Sequence, residues 1–491
     1  MSRSAGKSMA WGGALSAVRL VSGLIRVKVV ALALGVGGVG IFSLLQQVNL
    51  TGISIVGMSL AIPIINLGRP RVKDNDFETA GRIAGTALSL IVFNTLILFI
   101  FAALGGNHLF RMIGIGPLAP PLVEAIVLSI LLGALASSFW EGMSYLADRF
   151  DIYVRVGMTA AIADMLCVAM GAWLFGLKGA VAAMPFGPLV LLGSYVLLLS
   201  RDSIARKVLS SLSFRSAELP PLLTYSGVMF VAVALTNAGL IAVRAKVLID
   251  AGVTANGYLQ TVTSLSAYIL AFVTTGFWGH LHARAAAEGD TAAVRAELHH
   301  ALRLALLISF TGCGTALVLA DYFIPLFFSG QFAGASTLMI SYLPGELCYQ
   351  LVFLLTAYQL TIRRRRRYLA WSLGYIAMLV AIGAIAIPRF GAAGYVGSHI
   401  VGSVVMLAIA GFMSWRSGQV RPSLLAMAAC LALLLACMAA LMIWLHLRGS
   451  VGPIVLLGLI PVAVTGAMAL REIFVGVMPR QVESHGEHRI R

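Results

Sequence analysis

Long apolar stretches, separated by short clusters of Gly, Pro and charged residues, run the whole length of the chain. Each is close to or above the roughly 20 residues an α-helix needs to cross a bilayer. The pattern predicts helices near 10–34, 41–67, 82–104, 121–147, 154–176, 179–200, 222–249, 257–281, 301–323, 337–360, 369–387, 394–415, 423–447 and 453–470. The expected fold class is an all-α polytopic membrane protein with about fourteen transmembrane helices. The first stretch carries Arg19, Arg26 and Lys28 and has no convincing cleavage site, so it reads as a retained helix, not a signal peptide.

Composition agrees with this reading. Of 491 residues, 59% are hydrophobic and 11% charged, against about 25% charged in a soluble domain, which excludes an ordinary cytosolic enzyme. A net charge of +16 would point to nucleic acid in a soluble protein; here its placement gives another meaning. When the loops are alternated from a cytoplasmic N-terminus, 26 of the 35 Lys and Arg fall inside and only Arg111, Lys178, Arg389 and Arg448 outside. Basic residues are retained on the cytoplasmic side during insertion, so both termini are expected there. The seven tryptophans fall near helix ends, where an indole is half apolar and half wet. The five cysteines lie in apolar stretches with no C-x-x-C pair, which fits neither a disulfide framework nor zinc. The outside loops, longest near 105–120 and 324–336, leave no room for an extracytoplasmic catalytic domain.

A repeat underlies the pattern. Arg26-Val27-Lys28-Val29 at the end of the first helix returns as Arg244-Ala245-Lys246-Val247 at the end of the seventh, 218 positions on. Gly35 and Gly40 return as Gly252 and Gly257, 217 positions on. Helices one and seven run in the same direction, so two six-helix lobes related by a pseudo-two-fold along the membrane normal are expected, an arrangement suited to alternating access. The expected division is 1–221, 222–421, two further helices over 422–470 and a polar cytoplasmic tail over 471–491.

Intramembrane charge is costly, about 2.5–3.5 kcal/mol at the bilayer centre on insertion scales, so retained charges need a partner or a wet cavity. Arg19, Asp164 and Glu346 reach mid-depth. Arg19 and Asp164 read as an ion pair locking the first half or as transport residues, and Asp164 and Glu346 are the candidates for ion coupling. Glu346 has no basic partner in its own helix and reads equally as a neutral, hydrogen-bonded acid. Arg26, Lys28, Arg244 and Lys246 would either snorkel to the outer headgroups or line a cavity between the lobes. Their recurrence in both halves favours the cavity, and four cations would suit a diphosphate or an acidic sugar. Gln46, Gln47, Asn49 and Gln260 lie near them and could bond sugar hydroxyls or neighbouring helices.

Weaker patterns add little. Gly6-Lys7-Ser8 lacks the upstream glycine and strand of a phosphate loop. His280 and His282 have no third ligand nearby, and Asp148 and Asp151 read as solvated loop charges before they read as a metal site. The run Arg363 to Arg367 faces the cytoplasm and could touch anionic lipid. Nothing implies a cofactor, a metal or nucleic acid.

The stretches GVGGVGIFSLLQQ and VRAKVLIDAGVTANGYLQTVTSLSAY resemble the polysaccharide flippases of the multidrug/oligosaccharidyl-lipid/polysaccharide exporter superfamily, nearest the Wzx-like O-antigen translocases. The resemblance is clearest over 10–70 and 222–285. It implies two lobes forming a V, transport of an undecaprenyl-diphosphate-linked oligosaccharide across a bacterial inner membrane, and a cationic lining to which Arg26, Lys28, Arg244 and Lys246 correspond. It also implies membrane lipids and polysaccharide polymerase or chain-length machinery as partners. Fourteen helices depart from the twelve of many O-antigen flippases and resemble the lipid II flippases and some capsule or exopolysaccharide exporters. The alternatives are a drug/cation antiporter of the same superfamily, which would favour an acidic cavity, and a membrane glycan polymerase or glycosyltransferase, which would need larger outside loops.

Overall fold

The computed structural model describes residues 3–277, 281, 289–448 and 454–477. The motif His280 and His282, with the adjacent Trp278, lies outside the described residues. Among the described residues, ten helices are long and apolar enough to cross a membrane, or eleven with the bent pair Phe186–Leu199 and Ser203–Ser210.

Two of these helices are too long for one crossing, and glycines explain why. Arg3–Gly57 breaks at Gly35 (φ 63°, ψ −176°) into α1 (3–34) and α2 (36–57), and α2 resumes as Ala61–Lys73. Leu219–Phe277 breaks at Gly252 (φ 87°, ψ 173°) into α7 (219–251) and α8 (253–277). Such angles are open to glycine and strained for other residues. That the first chain turns back is visible in its contacts: Leu15 and Arg19 of α1 lie against Gly157, while Ala61 of the resumed α2 lies against Gly142 nearby.

The other crossings follow in order. They are α3 (Phe77–Met112), then α4 (Pro120–Ala134), continuing through Leu135–Trp140 and Glu141–Leu146. Phe150–Ala182 breaks at Gly176 (φ 59°, ψ −144°) into α5 (150–175) and the start of α6, which resumes over Phe186–Leu199. The second lobe adds α9 (Ala292–Val318), α10 (Ala335–Thr361), α11 (Arg365–Phe390) and α12 (Ala392–Arg416), and the chain ends in α13 (Pro422–Arg448) and α14 (Ile454–Val477). Thus the protein is an all-α polytopic membrane protein, and among the described residues each expected helix has a counterpart once the long helices are divided at their glycines. Helices α13 and α14 pack on α10 and α9.

The repeat reaches further than the first and seventh helices. Gly391 (φ 58°), between α11 and α12, stands where Gly176 does in the first lobe. A β-carbon at Gly179 would overlap the Gly171 carbonyl, and one at Gly394 the Ala386 carbonyl, so both hairpins close on the same backbone contact. Two further turns match as well: Asp148 (φ 59°) and Arg363 (φ 61°) are left-handed. In each, the next N–H bonds back at 2.8 Å, from Arg149 to the Ser144 carbonyl and from Arg364 to the Gln359 carbonyl.

Three details bear on the sequence reading. Trp371 is buried, whereas Trp173 and Trp415 are exposed as indoles at a lipid boundary would be. Gly6-Lys7-Ser8 lies within the first helix and not in a loop. Asp148 and Asp151 are taken up by Arg69 and Arg149, and no group of three metal-ligating side chains occurs among the described residues.

Candidate functional site

The lobes meet along α1 and α2 on one side and α7 and α8 on the other. At the Gly35 and Gly252 end the approach is closest. A β-carbon at Gly40 would lie 2.6 Å from the Val253 carbonyl oxygen, and one at Gly257 would overlap the Val36 carbonyl. The two contacts are the same contact seen from either lobe. Asn256 reinforces it by donating from Nδ2 to the Gly40 carbonyl at 2.8 Å.

Next to this closed end the interface turns polar. Arg244 is buried and donates from Nη2 to Ser43 Oγ of the other lobe at 3.0 Å, while its Nε finds no partner in the protein. Gln47 donates from Nε2 to Asn237 Oδ1 at 3.1 Å, a second inter-lobe bond. A narrow cleft of about 30 Å³ is lined by Arg26, Ser43, Gln46, Gln260 and Ser264 on its polar side and by Val27, Val30, Val39, Phe42 and Phe328 on its apolar side. Gln260 donates to Ser264 Oγ at 2.7 Å and leaves its Oε1 buried without a partner. Each such orphan costs about 1–3 kcal/mol until water or a ligand satisfies it, so this stretch is suited to accept a polar guest.

The structure redraws the expected charge pairs. Asp164 does not pair with Arg19; it forms a half-buried ion pair with Arg26. The reason is position along α1: Arg19 lies two turns before Arg26 and faces Tyr153, its guanidinium 5.9 Å from the ring centroid, in the field of Glu141. Nor do the four repeat cations form one cluster. Arg26 lines the narrow cleft with Ser43, and Arg244 bonds Ser43 from the other lobe. Lys28 instead donates to the Pro325 carbonyl at 2.9 Å, and Lys246 pairs with Asp250 at 2.7 Å, one turn along its own helix. Lys246 also lines a second cavity of about 730 Å³ with Val48, Ile97, Phe101, Ile241 and Ala242. That groove opens between α2, α3 and α7 and is otherwise almost wholly aliphatic and aromatic. Asn49 is buried with its Oδ1 unpartnered and does not line either cavity.

Glu346 does have a partner, supplied by another helix. His399 Nε2 of α12 lies 3.5 Å from Glu346 Oε2, and His399 Nδ1 lies 2.7 Å from the Tyr375 hydroxyl. Gln350 donates to Glu346 Oε1 at 3.2 Å, and the Tyr342 ring stacks on the imidazole at 4.3 Å. The sequence reading missed His399 because a histidine does not register as a fixed charge, and it missed Ser43, Asn237 and Pro325 because they are ordinary residues until the lobes meet. The motif Phe-Gly-x-x-Gly at 175–179 and 390–394 was a signal that could have extended the repeat.

At the end of the helices opposite Gly35 and Gly252, the arginine run between α10 and α11 is mostly engaged. Asp290 accepts from Arg295 Nε and Arg364 Nη2, both at 2.9 Å, from Tyr358 at 3.0 Å and from Gln419 at 3.3 Å. Arg365 stacks on Tyr225 and Arg367 bonds Ser417. Burial alone would raise the Asp290 carboxyl; the hydrogen bonds from Arg295, Gln419 and Tyr358 outweigh it and hold the pKa below its ordinary value.

This architecture has known counterparts. The lipid II flippase MurJ in an inward closed conformation is similar with a TM-score of 0.69 over 94% of this chain and 99% of its own, at 11% identity. Solved transporters of the MOP superfamily share this fold. An inward-facing multidrug resistance MATE family transporter of that superfamily matches with a TM-score of 0.61 at 16% identity, over 81% of this chain and 94% of its own. A MOP superfamily transporter from Pyrococcus furiosus, described by the reverse polarity of its binding pocket, matches at 0.59 and 17% identity, over 83% and 93%. No family model and no curated protein matches the sequence.

Proposed function

We propose that the protein is a flippase that carries an undecaprenyl-diphosphate-linked oligosaccharide from the cytoplasmic to the periplasmic leaflet of a bacterial inner membrane, for O-antigen or exopolysaccharide synthesis. The observation that carries this reading is the placing of one arginine from each lobe around Ser43: Arg26 lines a narrow cleft with Ser43, Gln46, Gln260 and Ser264, and Arg244 reaches Ser43 from the other lobe. Guanidinium forks suit phosphate oxygens, and amides and hydroxyls suit a sugar. The likeness to a lipid II flippase that also spans nearly all of this chain supports a lipid-linked cargo.

The contacts support a cycle of alternating access. With both termini in the cytoplasm, the Gly40 and Gly257 contact seals the periplasmic end, and the division into lobes 1–221 and 222–421 sets what rocks against what. Asp164 holds Arg26 while no cargo is bound; an incoming diphosphate outcompetes the single carboxylate by offering more oxygens and more charge. The isoprenoid tail stays in the apolar groove between α2, α3 and α7. A drug/cation antiporter is disfavoured because a cationic lining repels cationic cargo.

Complementation of a strain blocked in surface polysaccharide export tests the reading, with Arg26→Ala and Arg244→Ala compared at equal membrane abundance. Both are expected to lose export. Unchanged export in both removes the cationic grip.

A further inference from the structure

The arginines between α10 and α11 do more than hold a turn. Arg363 to Arg367 line, with Ser417, an open hollow of about 590 Å³. Three of them are held in place: Arg364 by Asp290, Arg365 by the Thr224 carbonyl and the Tyr225 ring, and Arg367 by Ser417 Oγ. The other two, Arg363 and Arg366, are exposed, and their guanidiniums meet no hydrogen-bonding or ionic partner among the described residues. The run and Arg295 share a single carboxylate, that of Asp290, among the described residues. Arg365 to Arg367 also stand in the first turn of α11, where the helix dipole disfavours cations, and no acidic residue shares that turn. Arg363 itself is left-handed (φ 61°), a conformation that asparagine or glycine takes with less strain. Like charges this close repel one another, so the hollow favours an anion, and guanidinium forks favour phosphate oxygens.

Position decides which phosphate. Trp415 is 47% exposed at the end of α12, as an indole at headgroup level would be. It stands two residues from Ser417, at most about 7 Å along the chain. Trp415 is also the last residue of α12 to line an apolar groove of about 520 Å³, which runs between α12 and α13 over α10, past Leu425, Gly411 and Ala432 to Ile400 and Cys348. From residue 400 to residue 415 the helix rises roughly 22 Å at 1.5 Å per residue, enough to follow a chain through one leaflet of a hydrocarbon core about 30 Å thick. The hollow is distinct from the cleft at the lobe interface. Arg365 meets α7 at Tyr225, 19 residues before Arg244 on the same helix, or roughly 28 Å.

We propose that the hollow and the groove together form a binding site for an anionic phospholipid, its phosphodiester among Arg363 to Arg367 and one acyl chain along α12 and α13. Arg364, Arg365 and Arg367 are held in advance by Asp290, Tyr225 and Ser417, so little side-chain freedom is lost when the headgroup arrives. Arg363 and Arg366 supply the uncompensated charge. A zwitterionic headgroup adds a cation of its own and is disfavoured by that charge. The site does not depend on the cargo proposed above, and the test below uses none.

The delipidated full-length protein in detergent is titrated with phosphatidylglycerol or phosphatidylcholine, and bound lipid is counted by native mass spectrometry. Phosphatidylglycerol is expected to be retained in preference, and glycerol 3-phosphate, which carries the charge without the chains, is expected not to displace it. Arg363→Asn with Arg366→Gln should weaken that binding about 25-fold, at roughly fivefold for each arginine. The melting temperature of this variant without added lipid should be no lower than that of the wild type, because asparagine accepts the left-handed turn. Arg71→Gln with Lys73→Gln, which removes two exposed charges at the end of another helix, should leave binding unchanged. Phosphatidylglycerol brominated on its chains should quench Trp415, read as the difference between wild type and Trp415→Phe. Equal retention of the two lipids, undiminished binding in the Arg363 and Arg366 variant, or an equal loss in the Arg71 and Lys73 variant overturns the site. Displacement by glycerol 3-phosphate assigns the hollow to a soluble phosphate and overturns the lipid, and a Trp415 that is not quenched overturns the place given to the chain.

Discussion

Gly40 and Gly257 face each other across the lobe interface so closely that a β-carbon on either would strike the other lobe's backbone, at the Val253 or the Val36 carbonyl. Small residues let transmembrane backbones approach in this way, and here the same approach occurs twice because the repeat carries the same glycine into both lobes.

Gly257→Ala is therefore expected to destabilise the closed arrangement by about 1–3 kcal/mol, since the obstacle is backbone and has no rotamer to change. Gly40→Ala should do the same, and the double variant should be less than additive because both remove one contact. Thermal unfolding in detergent measures the loss. A double variant whose loss equals the sum of the single losses would contradict a single shared contact.

The Arg26–Asp164 pair separates structural from transport roles. Both groups keep partial access to solvent, so breaking the pair by Arg26→Ala is expected to cost only about 1–2 kcal/mol, below the range for fully buried pairs. Exchanging the two as Arg26→Asp with Asp164→Arg should restore the melting temperature while export stays absent, because the guanidinium then approaches from α5. Export recovering together with stability would show that the pair is only structural.

These relationships show what the sequence alone could and could not supply. The helices were legible because lipid imposes one length and one chemistry on every crossing. The hinge glycines were legible as a repeat, though only the structure showed that the first of each pair bends the chain while the second brings the lobes together. The partner of Asp164 was not legible: Arg19 and Arg26 lie on the same helix, and the choice between them depends on how α5 slides against α1. His399 was invisible for a different reason, since its meaning comes from Glu346, Tyr342 and Tyr375 on two other helices.

Asp290 gives a stability prediction with a definite sign. Its folded pKa lies below the ordinary 3.8 because Arg295, Gln419 and Tyr358 favour the ionised form over the opposing effect of burial. A depressed carboxylate stabilises the fold above its unfolded pKa and loses that contribution as pH falls through the folded value. The difference in melting temperature between wild type and Asp290→Asn should thus be constant from pH 8 to about pH 5 and shrink below about pH 4. A difference that grows on acidification would mean that the carboxyl is neutral in the folded protein.

The apolar groove between α2, α3 and α7 yields the last prediction. Ala242 lines it beside Ile241 and Lys246 and is exposed to it, so Ala242→Trp adds an indole to space proposed for the isoprenoid tail. Displacing about two methylene groups from protein contact, at roughly 0.8 kcal/mol each, corresponds to about a tenfold weaker hold on the cargo. Fold should not suffer, because the new ring enters an existing cavity instead of a packed core. Export should therefore fall while the melting temperature stays within a degree or two, whereas Val405→Trp, on the exposed face of α12 outside this groove, should leave both unchanged. Export falling equally in both variants would mean that a bulky ring anywhere on the membrane-facing surface disturbs transport, and the groove would lose its claim to the tail.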